Sequence, residues 1–74
     1  MKAYKNKNGC VLAVFKDWRD TYGVYCRKSE EDDFKKVAYR FPVRATRAEA
    51  EQDMVEVARV RSLDKTWELI DFKG

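Results

Sequence analysis

Seventy-four residues with a formal charge of +3, 45% hydrophobic and 39% charged, form one small domain, residues 1–74, near the lower limit at which a single core outweighs chain entropy. This composition excludes a second domain and a disordered chain, and the longest apolar run, residues 11–15, is far short of the roughly 20 residues that cross a bilayer. A charge of +3 is modest for a nucleic-acid binder, so the placement of the charges matters more than their sum.

In chain order, residues 2–5 read as a short edge strand, and Asn6-Lys7-Asn8-Gly9 as a tight turn, because Asn-Gly tolerates positive φ. Residues 10–16 follow as a strand rich in Val, Leu and Phe. Residues 16–20, KDWRD, are polar apart from Trp18 and too short for a helix, so they read as a hairpin loop. Residues 21–28 alternate as the next strand, residues 30–33 form an acidic loop, and residues 34–41 alternate again. No glycine-bearing calcium spacing occurs in that acidic loop, which reads as a solvated hairpin tip.

Residues 46–63 are the one stretch patterned as a full-length helix. Thr46 and Glu49 have capping-box spacing, Pro42 closes what precedes them, and acidic residues gather early with Arg59 and Arg61 late, opposing the macrodipole. Ala50, Met54, Val57, Ala58 and, at the edge, Val60 fall on one stripe, with the stem of Arg61 beside them, while Ala48 and Val55 lie opposite. After a turn at Asp64-Lys65, residues 66–72, TWELIDF, make a closing strand with Trp67 in the core. The expected architecture is α+β: an antiparallel sheet of three to five strands with one helix on one face, in the order β-β-β-β-α-β, first and last strands short.

Placing apolar residues on one face sets the expected pairings: Leu12 opposite Val24, Val14 opposite Tyr22, Cys10 opposite Cys26, Val24 opposite Tyr39 and Cys26 opposite Val37. One face then holds Cys10, Leu12, Val14, Tyr22, Val24, Cys26, Val37, Tyr39 and Phe41 and receives the helix. The other holds Val11, Ala13, Phe15, Tyr25, Arg27, Lys36, Ala38 and Arg40, with no second helix to cover it.

That second face is the candidate site. Phe15 and Tyr25 beside Arg27, Lys36 and Arg40 combine apolar surface with positive charge, which suits either a protein interface or nucleic-acid backbones and bases. The plainer alternative is that the amino-terminal segment or last strand covers Phe15 and Tyr25. Trp18 reads first as a lid on the sheet edge and second as an exposed anchor for a partner.

With no histidine, no glycine-rich phosphate loop and no serine with a plausible base, the chain is not expected to be an enzyme. Two cysteines are too few for structural zinc, so no metal or cofactor is expected. Cys10 and Cys26 read as small buried hydrophobes, with a redox role as the alternative. The amino terminus has no apolar core of the kind a cleaved signal carries, so a cytoplasmic location with reduced thiols is expected.

A three-stranded sheet followed by a helix opening T-x-x-E-A-x-x-D, here Thr46, Glu49, Ala50 and Asp53, resembles the sheet-reading DNA-binding domains of plant ethylene-response factors and of some integrase amino termini. The resemblance spans roughly residues 21–61 and implies a sheet that enters the major groove. The glycine and tryptophan pattern of those strands is not reproduced, and the face carries fewer basic residues. In size and makeup the chain also resembles short proteins of phages and mobile elements that bind and modulate a host protein. The functional expectation is a small protein-interaction module using the open face and Trp18, by binding a protein partner or itself. The alternative is a nucleic-acid-binding domain using Tyr25, Arg27, Lys36 and Arg40. No membrane and no small-molecule substrate are expected.

Overall fold

The computed structural model describes residues 1–37, 43–61 and 67–72. Expectations resting on residues 38–42, among them Arg40, Tyr39, Phe41 and Pro42, lie outside the described residues. So do those resting on residues 62–66 and 73–74 and on the side chains of Val60 and Arg61.

The strands are β1 (Lys2–Lys5), β2 (Val11–Lys16), β3 (Tyr22–Arg27), β4 (Lys35–Lys36) and β5 (Glu68–Asp71), with α1 (Arg47–Arg61) between β4 and β5. They form one sheet in the order β4-β3-β2-β1-β5, every neighbouring pair antiparallel. The fold is thus α+β with the expected element order. β1 departs from expectation: it is not an edge strand but lies between β2 and β5. The partner that makes it interior is the last element of the chain, and Phe72 N–H extends the pairing by donating to the Met1 carbonyl at 2.7 Å.

A compact turn joins β1 to β2. The Asn6 side-chain oxygen accepts from the N–H groups of Asn8 and Cys10 at 2.9 and 3.0 Å, and Gly9 N–H donates to the Asn6 carbonyl at 3.1 Å. Gly9 sits at φ 89°, a conformation that glycine adopts without a Cβ clash.

Both hairpins pair two residues away from the expected register. Leu12 faces Cys26 and Val14 faces Val24, while Cys26 faces Lys35 and Tyr25 faces Lys36. A slip of two keeps every side chain on its face, so face assignment survives while partners change. Cys10 and Cys26 are therefore not opposed, and both are half-buried. In the first hairpin the cause is the turn itself, which closes on a hydrogen bond from Asp17 N–H to the Thr21 carbonyl at 2.8 Å. In the second, Val37 N–H donates to the Val24 carbonyl at 2.8 Å, and Phe34 is drawn onto the face away from the helix.

On the helix side, Leu12, Val14, Val24 and Val37 pack against Ala50, Met54, Val57 and Ala58, with Tyr4, Tyr22, Cys26 and Trp67 at the margin. The two alanines let α1 lie close to the sheet, and Leu12, Val14 and Met54 are completely enclosed. Thr46 caps the helix by accepting from Glu49 N–H at 3.3 Å. The Glu49 carboxylate accepts from the Thr46 hydroxyl at 2.9 Å, where a standard capping box would use the Thr46 backbone N–H.

Asp53 also falls on the buried stripe. Its carboxylate accepts two hydrogen bonds from the Arg44 guanidinium, at 2.8 and 3.1 Å, which answers the cost of taking a charge out of water. Arg44 itself exchanges two 2.8 Å backbone hydrogen bonds with Tyr22, so one residue joins the helix to the side of β3.

Candidate functional site

The face away from the helix is not open as the strand pattern suggests. Ala3, Val11 and Ala13 are buried there beneath Met1, Phe15, Phe34, Ile70 and Phe72. The cover comes from the β3–β4 loop through Phe34, and from the end of the chain through Phe72. Phe34 meets Phe15 edge-on at a centroid distance of 4.9 Å and Phe72 at 5.7 Å, and Phe15 meets Tyr25 at 5.6 Å. These near-perpendicular contacts set ring edges against ring faces, the favourable arrangement of aromatic quadrupoles.

Arg27 belongs to this cover. Its guanidinium carbon lies 5.0 Å from the Phe34 ring and 5.2 Å from the Phe72 ring. Its Nε is buried with no hydrogen-bond partner among the described residues, a loss that cation–π attraction to two rings offsets. Lys36 is exposed on the same face, its aliphatic stem over Gly23, and Arg40 lies outside the described residues. Of the expected basic set, Arg27 and Lys36 line one wide polar cleft with Lys28, Lys35 and the acidic Glu31, Asp32 and Asp33. Beside the rings lies a shallow cleft of about 320 Å³ lined by Phe15, Lys16, Tyr25 and Phe34.

The β2–β3 turn repeats the plan of the β1–β2 turn. Asp17 stands where Asn6 stands, and its Oδ1 accepts from the N–H groups of Arg19 and Thr21 at 2.8 and 3.1 Å. Asp20 N–H donates to the Asp17 carbonyl at 3.1 Å, and Asp20 takes the positive-φ position, at 62°. Aspartate is among the few non-glycine residues that tolerate this region. The Thr21 hydroxyl donates to Asp17 Oδ2 at 2.7 Å. That bond, with those from the Thr21 and Arg19 backbones and the Arg19 guanidinium, outweighs desolvation and brings the Asp17 carboxyl down from an ordinary 3.8 to about 2. Lys16 pairs with Asp20 at 3.0 Å, a hydrogen-bonded contact that raises the Lys16 pKa.

Trp18 occupies the second position of this turn and is 90% exposed. It is not the lid that its loop position first suggests. The Arg19 guanidinium lies 5.3 Å from the indole centroid while also reaching Asp17 Oδ2 at 3.3 Å, so one flank of the indole is held and the rest faces outward. The equivalent position in the first turn is Lys7, so this turn geometry does not require an apolar residue there.

Among the described residues there is no group of three or more Cys, Asp or Glu placed to hold a metal ion, and no helix long and apolar enough to cross a membrane. Comparison with protein-family models, with curated proteins and with solved structures gives no match.

Proposed function

We propose that this domain is a non-catalytic, cytoplasmic protein-interaction module whose contact surface is the Asp17–Asp20 tip together with the adjoining Phe15/Tyr25 cleft. One observation carries the reading. The same turn is built twice in this chain, and only the second copy places a tryptophan, almost fully exposed, where the first has lysine. Exposing an indole gives up the hydrophobic gain of burial, and tryptophan is the residue type most enriched among interface anchors. Asp17 fixes the backbone on either side and Arg19 flanks the ring, so little conformational freedom remains to be lost on binding.

The test is affinity capture from a cell lysate at low domain concentration, with and without nuclease, comparing the natural chain with Trp18→Ala. The expected result is a nuclease-resistant protein partner whose capture falls by about tenfold or more in the variant. Undiminished capture by Trp18→Ala refutes the proposal. A nuclease-sensitive signal that weakens steeply with salt would instead favour nucleic-acid binding through Lys36 and Arg40.

A further inference from the structure

Ser29 opens the one stretch of the chain in which a hydroxyl residue is followed by an unbroken acidic run, Glu30-Glu31-Asp32-Asp33. We infer that Ser29 is a phosphorylation site for an acidophilic serine/threonine kinase, and that the cations of the adjoining polar cleft receive the phosphoryl group. The inference is independent of the reading of the Trp18 tip.

The sequence carries the first half. Kinases choose acceptors in part by the charges beside them, and carboxylates after the acceptor suit a kinase whose substrate groove is basic. Ser29 has four such carboxylates in succession. Thr46, Ser62 and Thr66 have one acid each among the next four residues, and Thr21 has none. Thr46 is also followed directly by Arg47, and its hydroxyl is engaged in capping α1.

The loop presents the acceptor. Ser29 is half-buried between exposed neighbours, Lys28 and Glu30. Two contacts hold it: its hydroxyl donates to Asp32 Oδ2, and Asp32 N–H donates to the Ser29 carbonyl, both at 3.1 Å. Neither involves the core, so the segment can open locally without unfolding the sheet. In the transfer itself the Ser29 oxygen attacks the γ-phosphorus of ATP and the bond from that phosphorus to the β–γ bridging oxygen breaks. ADP leaves, and the hydroxyl proton passes to the catalytic aspartate of the kinase.

The cleft carries the second half. It measures about 750 Å³, and its walls hold four cations, Arg27, Lys28, Lys35 and Lys36, against three carboxylates. None of the four cations is in an ion pair among the described residues, although carboxylates share the cleft with them. Lys28 adjoins Ser29 in the chain, and Asp32, which holds the Ser29 hydroxyl, lines the cleft itself. A phosphoserine brings about −1.5 to −2 of charge and three acceptor oxygens. It gives up the bond to Asp32, whose carboxylate repels it, and gains charge-assisted bonds from the unpaired lysines. The modification thus exchanges one anchor of the loop for another, just ahead of Phe34, which roofs the second sheet face.

The experiment incubates the natural chain, Ser29→Ala and Asp32→Asn with Mg²⁺, ATP and an acidophilic serine/threonine kinase. Uptake is followed by intact-mass spectrometry, and digestion maps the site. Circular dichroism confirms that each variant is folded, and mapping on the natural chain locates the site even if Ser29→Ala does not fold. Asp32→Asn keeps an acceptor for the Ser29 hydroxyl while removing one recognition charge.

The natural chain is expected to gain one phosphoryl group, at Ser29, and Ser29→Ala to gain none. Asp32→Asn is expected to lose about tenfold in kcat/KM, the scale of one hydrogen bond to a charged group. A ³¹P titration of the product is expected to give a second phosphate pKa below the usual value of about 6, returning towards it in the double variant Lys28→Gln/Lys35→Gln. No uptake, uptake at another residue, or a rate indifferent to Asp32→Asn overturns the site. A phosphate pKa at or above about 6 that ignores the two lysines overturns its reception by the cleft.

Discussion

Phe34→Ala tests whether the second sheet face is roofed by the chain itself. Phe34 is half-buried, so it hides about 100 Å² of the 150–250 Å² that a large aromatic can bury, worth roughly 2.5 kcal/mol at 25 cal/mol per Å². Its ring contacts with Phe15 and Phe72 add to this, and relaxation of the β3–β4 loop subtracts from it, so the net loss is about 2–4 kcal/mol. A 74-residue domain has only about 4–11 kcal/mol of total stability. The unfolding midpoint should therefore fall by about 8–32 °C, given roughly 4–8 °C per kcal/mol at this size. Thermal melts followed by circular dichroism read this directly, and a double-mutant cycle with Phe72→Ala should return about 0.5–1.5 kcal/mol of coupling. A drop of less than about 3 °C, set against that scale, would mean that Phe34 does not cover the face.

The depressed Asp17 carboxyl makes the folded state bind its proton less tightly than the unfolded chain does. Its contribution to stability is therefore complete above about pH 4 and is lost as pH falls towards about 2. Asp17→Asn should keep the turn, as Asn6 does in the first hairpin, while flattening this part of the acid melt; an unchanged acid profile in the variant would contradict the assignment. Asp53→Ala leaves Arg44 without its two charged hydrogen bonds and should lower the urea midpoint more than Glu56→Ala, which loses only a surface pairing with Arg59; equal effects would argue against a structural role for the Arg44–Asp53 pair. Thr46→Ala should cost about 1 kcal/mol in the same urea titration, as a lost helix cap does, and no measurable change would count against the cap. Trp18→Lys recreates the composition of the first turn and should leave the melting temperature within about 2 °C, since exposed substitutions of this kind change stability by under about 0.5 kcal/mol; a larger drop would mean that Trp18 supports the fold.

The fold was largely legible because its signals are local. Alternation in residues 11–16 and 22–27 sorted side chains correctly between the two faces, and the stripe from Ala50 to Ala58 found the helix side that is buried. Register was less legible, because a slip of two residues leaves that alternation unchanged; the hydrogen bonds of Asp17 decide the first hairpin and the Val37–Val24 bond the second. The Asx-type position of Asp17 in KDWRDT was a usable signal for the longer turn. Asp53, set among Ala50, Met54 and Val57, likewise signalled a buried carboxylate in need of a cation.

The closure of the second face was not legible from strand pattern. It depends on Phe34 leaving a loop and Phe72 arriving from the far end of the chain, and strand periodicity carries no term for either. This rearrangement also changes the candidate site, setting Arg27 against the roof and leaving Trp18 as the large exposed aromatic among the described residues. The exposure of Trp18 depends on how the turn projects from the sheet, which composition does not encode.

The most direct test of the Trp18 tip as the contact surface is a ¹⁵N–¹H correlation spectrum of the labelled domain, recorded dilute and then with the unlabelled captured partner. Shift changes and broadening are predicted to centre on the Asp17–Asp20 turn, the Trp18 indole N–H, Phe15 and Tyr25, with α1 and the Asn6–Gly9 turn unchanged. Perturbations centred on α1 or the first turn, with the Trp18 indole signal unmoved, would contradict it.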